Sequence, residues 1–168
     1  MNTRLLSVTL ALALCLDAFP STTLATPISD SPPDQIEGKA YRLERAYLVV
    51  VHVPAADVDK VMNSVVAAVG LEYGKYDQVA YIDALGLEQF RPLGGSKAGA
   101  QSRATRQPTK VVSFSLSHDT ALLQKALDAI YAAHRYEEPV IYISEVWRSR
   151  STNPDEGNPN RWWNQKPK

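Results

Sequence analysis

The strongest pattern in the chain is the run Arg45-Ala-Tyr-Leu-Val-Val-Val-His-Val53, rich in β-branched residues and almost continuously apolar, which predicts a central strand buried on both faces. Pro54 closes that strand and suits the first turn of a helix. Val58, Val61, Met62, Val65, Val66 and Val69 then recur at helical intervals, predicting an amphipathic helix that stops near Gly70. After a turn over Gly70 to Gly74, the positions Tyr76, Val79, Tyr81, Ile82 and Leu85 mark a second strand. Gly86 breaks it, and Leu87 to Pro92 reads as a short returning segment, the two together making a hairpin or bulged arm. From Lys110 to Leu116, Val112, Phe114 and Leu116 alternate with Ser113 and Ser115, the pattern of a half-buried strand. Ser117 or Asp119 caps a second helix whose stripe is Leu122, Leu123, Ala126, Leu127, Ile130 and Tyr131, with His134 at its C-terminal end. Val140 to Trp147 is the last strand.

Strand, helix, strand with an arm, strand, helix, strand is the order of a ferredoxin-like βαββαβ sandwich, an α+β fold with an antiparallel sheet and both helices on one face. The second face of such a sheet must also be covered. Its tyrosines and valines are too apolar to stay wet, so a homo-oligomer is the economical arrangement. Between the arm and the third strand, Leu93 to Pro108 is a long loop carrying Gly94, Gly95, Gly99, Lys97, Arg103 and Arg106, with Arg91 just before it. Loops of this length without regular structure tend to carry function, so this one is a candidate ligand or subunit contact.

Composition narrows the function classes. Lysine plus arginine and aspartate plus glutamate number 18 each, so the chain lacks the basic field with which nucleic-acid binders displace counterions. The first 25 residues read as a secretory signal peptide: Arg4 ahead of the apolar run Leu5 to Leu16, then small residues up to Ala25. That run is too short for a spanning helix. Cleavage there predicts a secreted or periplasmic protein without a membrane anchor. It also removes Cys15, the only cysteine, leaving no disulfide and no thiolate. Residues 26–40 are rich in proline and aspartate and read as a flexible N-terminal segment, the folded domain spanning 41–148. Residues 149–168 form a polar tail whose Trp162-Trp163 pair suits docking against the body or a neighbouring subunit.

The densest polar cluster is Ala133-His-Arg-Tyr-Glu-Glu-Pro139, where His134, Tyr136, Glu137 and Glu138 could contact a ligand, bind a metal or move protons. A histidine at a helix C-terminus is also favoured there by the helix dipole. In extended backbone the adjacent glutamates point to opposite sides, so only one of them can join His134. His52, His118 and His134 sit on separate elements without the close spacing of a zinc motif. Gly94-Gly95-Ser96-Lys97 offers backbone N–H groups and a cation to an anion, yet lacks the order of a phosphate loop and opens no helix. GxSxG, HExxH and GxGxxG are all absent.

Tyr47-Leu-Val-Val-Val-His-Val-Pro54, Gly74-Lys-Tyr-Asp77, Gln89-Phe-Arg-Pro-Leu93 with Gly95, and Ala133-His-Arg-Tyr-Glu-Glu-Pro139 occur in the order found in one family. Over about Tyr41 to Trp147 the chain resembles the CutA-like, PII-like module inserted in YqfO-type members of the Nif-three-like proteins. The resemblance implies a ferredoxin-like fold, trimers and no established catalytic activity; the di-metal site of the larger proteins lies in flanking domains, so no metal ligands carry over, and no cofactor is expected. Two departures stand out: Arg135 replaces the usual proline after the motif histidine, and the Gly94 to Pro108 loop carries extra basic residues.

These observations lead to a non-enzymatic oligomeric module that binds a small ligand or a partner. Tyr76, Arg91, Gly94, Gly95, His134, Tyr136, Glu137 and Glu138 are its candidate contacts, lining a cleft at a subunit boundary. A metal-tolerance protein using His134, Glu137 or Glu138 with His52 or His118 is the alternative, and a hydrolase of phosphorylated small molecules, resting on the Gly94 loop alone, is the third.

Overall fold

A computed structural model describes Ile36, Gly38, residues 40–152 and residues 157–165. The expected signal peptide, and most of the expected flexible segment, lie outside those residues. The first strand, β1, runs Tyr41–Pro54, and a single 3-10 turn, Ala55–Asp57, leads into helix α1, Val58–Val69. Two short strands follow, β2 (Tyr81–Ile82) and β3 (Gly86–Phe90), and then β4 (Thr105–Ser117), α2 (Thr120–Ala133) and β5 (Ile141–Ser151). The sheet order is β2-β4-β1-β5 with β3 also on β4, and every pairing is antiparallel. This is the ferredoxin-like α+β sandwich that the element order predicts.

Alternation sets the layers. Val49, Val51 and Val53 of β1 and Val112, Phe114 and Leu116 of β4 point to one face, where they pack with Val58, Val61 and Val65 of α1 and Ala126, Ala129 and Ile130 of α2. The small residues of α2 let the helices approach closely enough for Ser64 Oγ to donate to the Ala129 carbonyl at 3.0 Å. Helix ends follow the predicted signals. Asp119 accepts from the N–H groups of Ala121 (2.8 Å) and Leu122 (3.2 Å), and Gly70, at φ +70°, closes α1 by donating to the Val66 carbonyl at 2.8 Å.

Three expectations need correction. The predicted Tyr76 to Leu85 strand is reduced to Tyr81–Ile82. Upstream, Tyr73 and Tyr76 bridge each other around Gly74, and the N–H groups of Gln78 and Val79 turn back to the carbonyls of Gly70 (2.9 Å) and Leu71 (3.0 Å), so they are spent before reaching the sheet. Nor do the second strand and the arm fold back on one another. Both run along β4: Tyr81 opposes Ser113, Ile82 opposes Val112 and Gly86 opposes Thr109, so Asp83, Ala84 and Leu85 stand across from only Lys110 and Val111. They form one edge strand with a bulge of one residue. The last strand extends beyond Trp147 to Ser151, because β1 starts at Tyr41 and offers a partner all the way down. Beyond the sheet body, β3 pairs with the first residues of β4, Thr105 to Thr109, most of which the sequence reading placed in the long loop; the pair makes an arm with the rest of that loop at its tip.

Candidate functional site

The motif histidine sits where three elements meet. His134 caps α2 and is 8% exposed. Its Nδ1 accepts from the Tyr136 N–H at 3.1 Å, and its Nε2 lies 2.9 Å from the His52 carbonyl. A peptide N–H can only donate and a carbonyl can only accept, so the ring is held as the Nε2–H tautomer with both nitrogens engaged. His134 therefore ties the start of the α2–β5 connection to the end of β1, with no lone pair left for a metal.

Arg135 ties the same connection to the β1–α1 junction. Its Nε and Nη2 grip the two carboxylate oxygens of Asp57, the second at 2.5 Å. That bidentate pair holds the Asp57 carboxyl below its usual pKa, despite the opposing effect of desolvation, and raises that of the guanidinium. Asp57 precedes α1 but makes no side-chain cap bond. Its carboxylate answers Arg135 instead.

Tyr136 lies edge-on to both His134 (5.2 Å between ring centroids) and Phe90 of the arm (5.3 Å). Burial, with the Glu88 carboxylate as a second cause, raises the pKa of its phenol, which keeps it protonated at neutral pH. Glu137 reaches the long loop, accepting from the Lys97 N–H at 2.9 Å. The glycine-rich loop thus already directs an N–H to a carboxylate of its own chain. Glu138 is exposed, and the backbone there is a bend rather than the extended segment expected from sequence, so strand alternation does not sort the two glutamates. Arg91 stays within the loop, its guanidinium 3.4 Å from the Gln101 carbonyl, and Gly94 and Gly95 are in its exposed turn.

Of the eight candidate contacts, then, His134, Tyr136 and Glu137 come together, with the loop of Arg91, Gly94 and Gly95 beside them. Tyr76 does not join them within one chain. Its neighbour Tyr73 donates to the Ser149 carbonyl, opposite Leu43 on β1, whereas His134 meets His52, about 30 Å further along the strand at 3.3 Å per residue.

The sequence reading missed Glu88. It faces inward from β3, with its Oε1 3.3 Å from His52 Nδ1 and its Oε2 buried without a hydrogen-bond partner. His52 also meets Tyr142 edge-on at 6.0 Å. These side chains border a recess of about 350 Å³ floored by Thr109, Val111 and Val140. Chemically this is an acid–base pair at the edge of a small hollow. The third histidine is far from it: His118 stacks on Tyr47 at 4.5 Å and lies 3.4 Å from Glu145. Among the described residues no group of three or more histidine, cysteine, aspartate or glutamate side chains is placed to hold a metal.

Comparison with solved structures agrees with this architecture. A Bacillus cereus protein related to NIF3 matches with a TM-score of 0.52 at 22% identity, over 62% of this chain and 26% of that one. The likeness establishes the fold. Two CutA structures match more loosely: the divalent ion tolerance protein CutA1 of Ehrlichia chaffeensis (TM-score 0.45, 16% identity, 67% of this chain, 87% of that one) and CutA of Synechococcus elongatus (0.46, 16%, 66% and 86%). The chain spans about a quarter of the length of the NIF3-related protein. No family model matches the chain, and no curated protein does. No helix among the described residues is long and apolar enough to cross a membrane.

Proposed function

We propose that the protein is a non-enzymatic, exported binding module that self-associates, as a trimer, through the sheet face opposite its helices, and holds a small ligand or partner at a subunit boundary beside the His134 cluster. The observation that carries this reading is the row Tyr81, Ser113, Val50 and Tyr142, which crosses the sheet on the face away from the helices. The two tyrosines that end it are 66% and 59% exposed, and Leu48, Val50 and Val111 beside them are only half-buried. A second copy of the chain covers that surface most economically. The His134 motif supports the binding role in an indirect way: its hydrogen bonds tie the α2–β5 connection to the end of β1, to Asp57 and to the long loop, and Tyr136 packs on Phe90 of the arm. Sedimentation equilibrium of the purified protein at micromolar concentrations tests the reading, with a mass of three chains expected. A stable monomer throughout would contradict it.

Divalent-metal binding is the second reading, favoured by the free oxygen of Glu88 beside His52. Two side chains are two short of the four ligands of a closed site, so the remaining ligands must come from another chain. Calorimetric titration with zinc or copper decides: binding tighter than about micromolar that vanishes in Glu88→Gln supports it, and its absence removes it.

A further inference from the structure

A second hollow, of about 640 Å³, lies at the other end of the sheet, where the start of β1, the end of β5, the Tyr73–Tyr76 turn and the C-terminal 3-10 turn at Trp162–Asn164 converge. Its volume is in the range of small-molecule sites. Among the described residues its wall contains Arg42, Lys75, Arg150 and Arg161 and no carboxylate, in a chain whose formal net charge is zero. Arg42 stands directly across the strand pair from Arg150, an arrangement of like charges that is unfavourable unless something answers it. The nearby acid, Glu44, is shared: one oxygen lies 2.8 Å from both Arg148 and Arg150. Arg150 Nη1 is buried with no acceptor, so the carboxylate leaves part of that guanidinium unanswered.

The same wall is aromatic. Arg148 and Arg150 lie over the Tyr73 ring, 5.4 and 4.8 Å from its centroid, Arg161 lies 5.8 Å from that of Trp163, and Tyr76 is 68% exposed beside them. Excess positive charge with flat apolar surfaces suits a ligand that has several negative charges on a planar ring. Carboxylates would pair with the guanidinium groups, and the ring would stack on tyrosine or tryptophan. We infer that this hollow is a binding site for a small aromatic polyanion. It shares no lining residue with the recess at His52; by the alternation of β1, Arg42 and Arg150 stand on the same sheet face as Val50 and Tyr142, eight residues away along the strand.

Isothermal titration with benzene-1,3,5-tricarboxylate tests the inference, with citrate as a polyanion lacking a ring and benzamide as an uncharged ring. The tricarboxylate is expected to bind at least tenfold more tightly than citrate, and benzamide not measurably. Arg42→Gln and Lys75→Gln, which remove exposed charges with no acid partner among the described residues, should each weaken the tricarboxylate at least fivefold. Trp163→Ala should weaken it while leaving citrate unchanged. The inference is overturned if the tricarboxylate does not bind, if it binds no better than citrate, or if its affinity is the same in Arg42→Gln and Lys75→Gln.

Discussion

Replacing His134 would strand two backbone groups at once, the His52 carbonyl and the Tyr136 N–H, in a place that is almost closed to water. His134→Ala is therefore expected to lower unfolding stability by about 3 kcal/mol in urea titration, and a loss below about 1 kcal/mol would mean that neither bond matters. The Arg135 pair makes a different, pH-dependent prediction. The folded pKa of Asp57 is depressed, so the contribution of its carboxylate is present above the unfolded value, about 4, and is lost as pH falls through the lower folded value. Asp57→Asn should thus be less stable than the wild type at pH 7, with the gap closing at acidic pH. A gap that stays constant from pH 7 down to acid unfolding would show that the charge of the pair is irrelevant. The polar cluster itself was visible in the sequence; strand alternation does not separate its two glutamates, because residues 135–138 form a bend. What could not be seen was the partner of each side chain: Asp57 lies 78 positions from Arg135 and His52 lies 82 from His134. Glu88 was hidden for a similar reason, since its inward direction depends on the register of β3 against β4.

Elements with a clean period were legible. The valine stripe of α1, the alternation of β4 and the stripe of α2 each announce one core-facing side, and each packs into the core except Tyr131 of the α2 stripe, which is 52% exposed. The stretch from Gly70 to Phe90 was not, because apolar spacing says nothing of where N–H groups are used. Gln78 and Val79 have strand-like neighbours but bond back to the helix end, and the bulge at Asp83 to Leu85 shifts the later pairing by one residue. Gly70 begins this departure. At φ +70° a side chain there would meet only Glu72 Cγ, at 3.8 Å, so the penalty of substitution is conformational and not steric. Gly70→Ala should cost about 1 kcal/mol by chemical denaturation, and a neutral effect would mean that the α1 terminus adjusts freely.

At the scale of the whole molecule, the sheet separates two regions of different chemistry. One end holds a rigid, hydrogen-bonded junction of β1, α2 and the arm, with the His52–Glu88 pair in a small hollow. The other holds a cationic, aromatic hollow between strand ends and tail. The tail tryptophans expected to dock divide between roles: Trp163 lines that hollow, and Trp162 is 78% exposed. Between the two ends runs the uncovered face. The sequence reading expected its tyrosines and valines to be covered; which residues crown it follows only from the register that sets Tyr81 and Tyr142 in one row. Self-association through this face is the central claim, and it is tested most directly by sedimentation velocity of the double variant Tyr81→Glu, Tyr142→Glu beside the wild type. Both positions are exposed, so the variant should keep its far-ultraviolet circular dichroism and sediment as a monomer while the wild type sediments as an oligomer. A folded variant that keeps the wild-type oligomer mass would place the contact elsewhere and contradict the account.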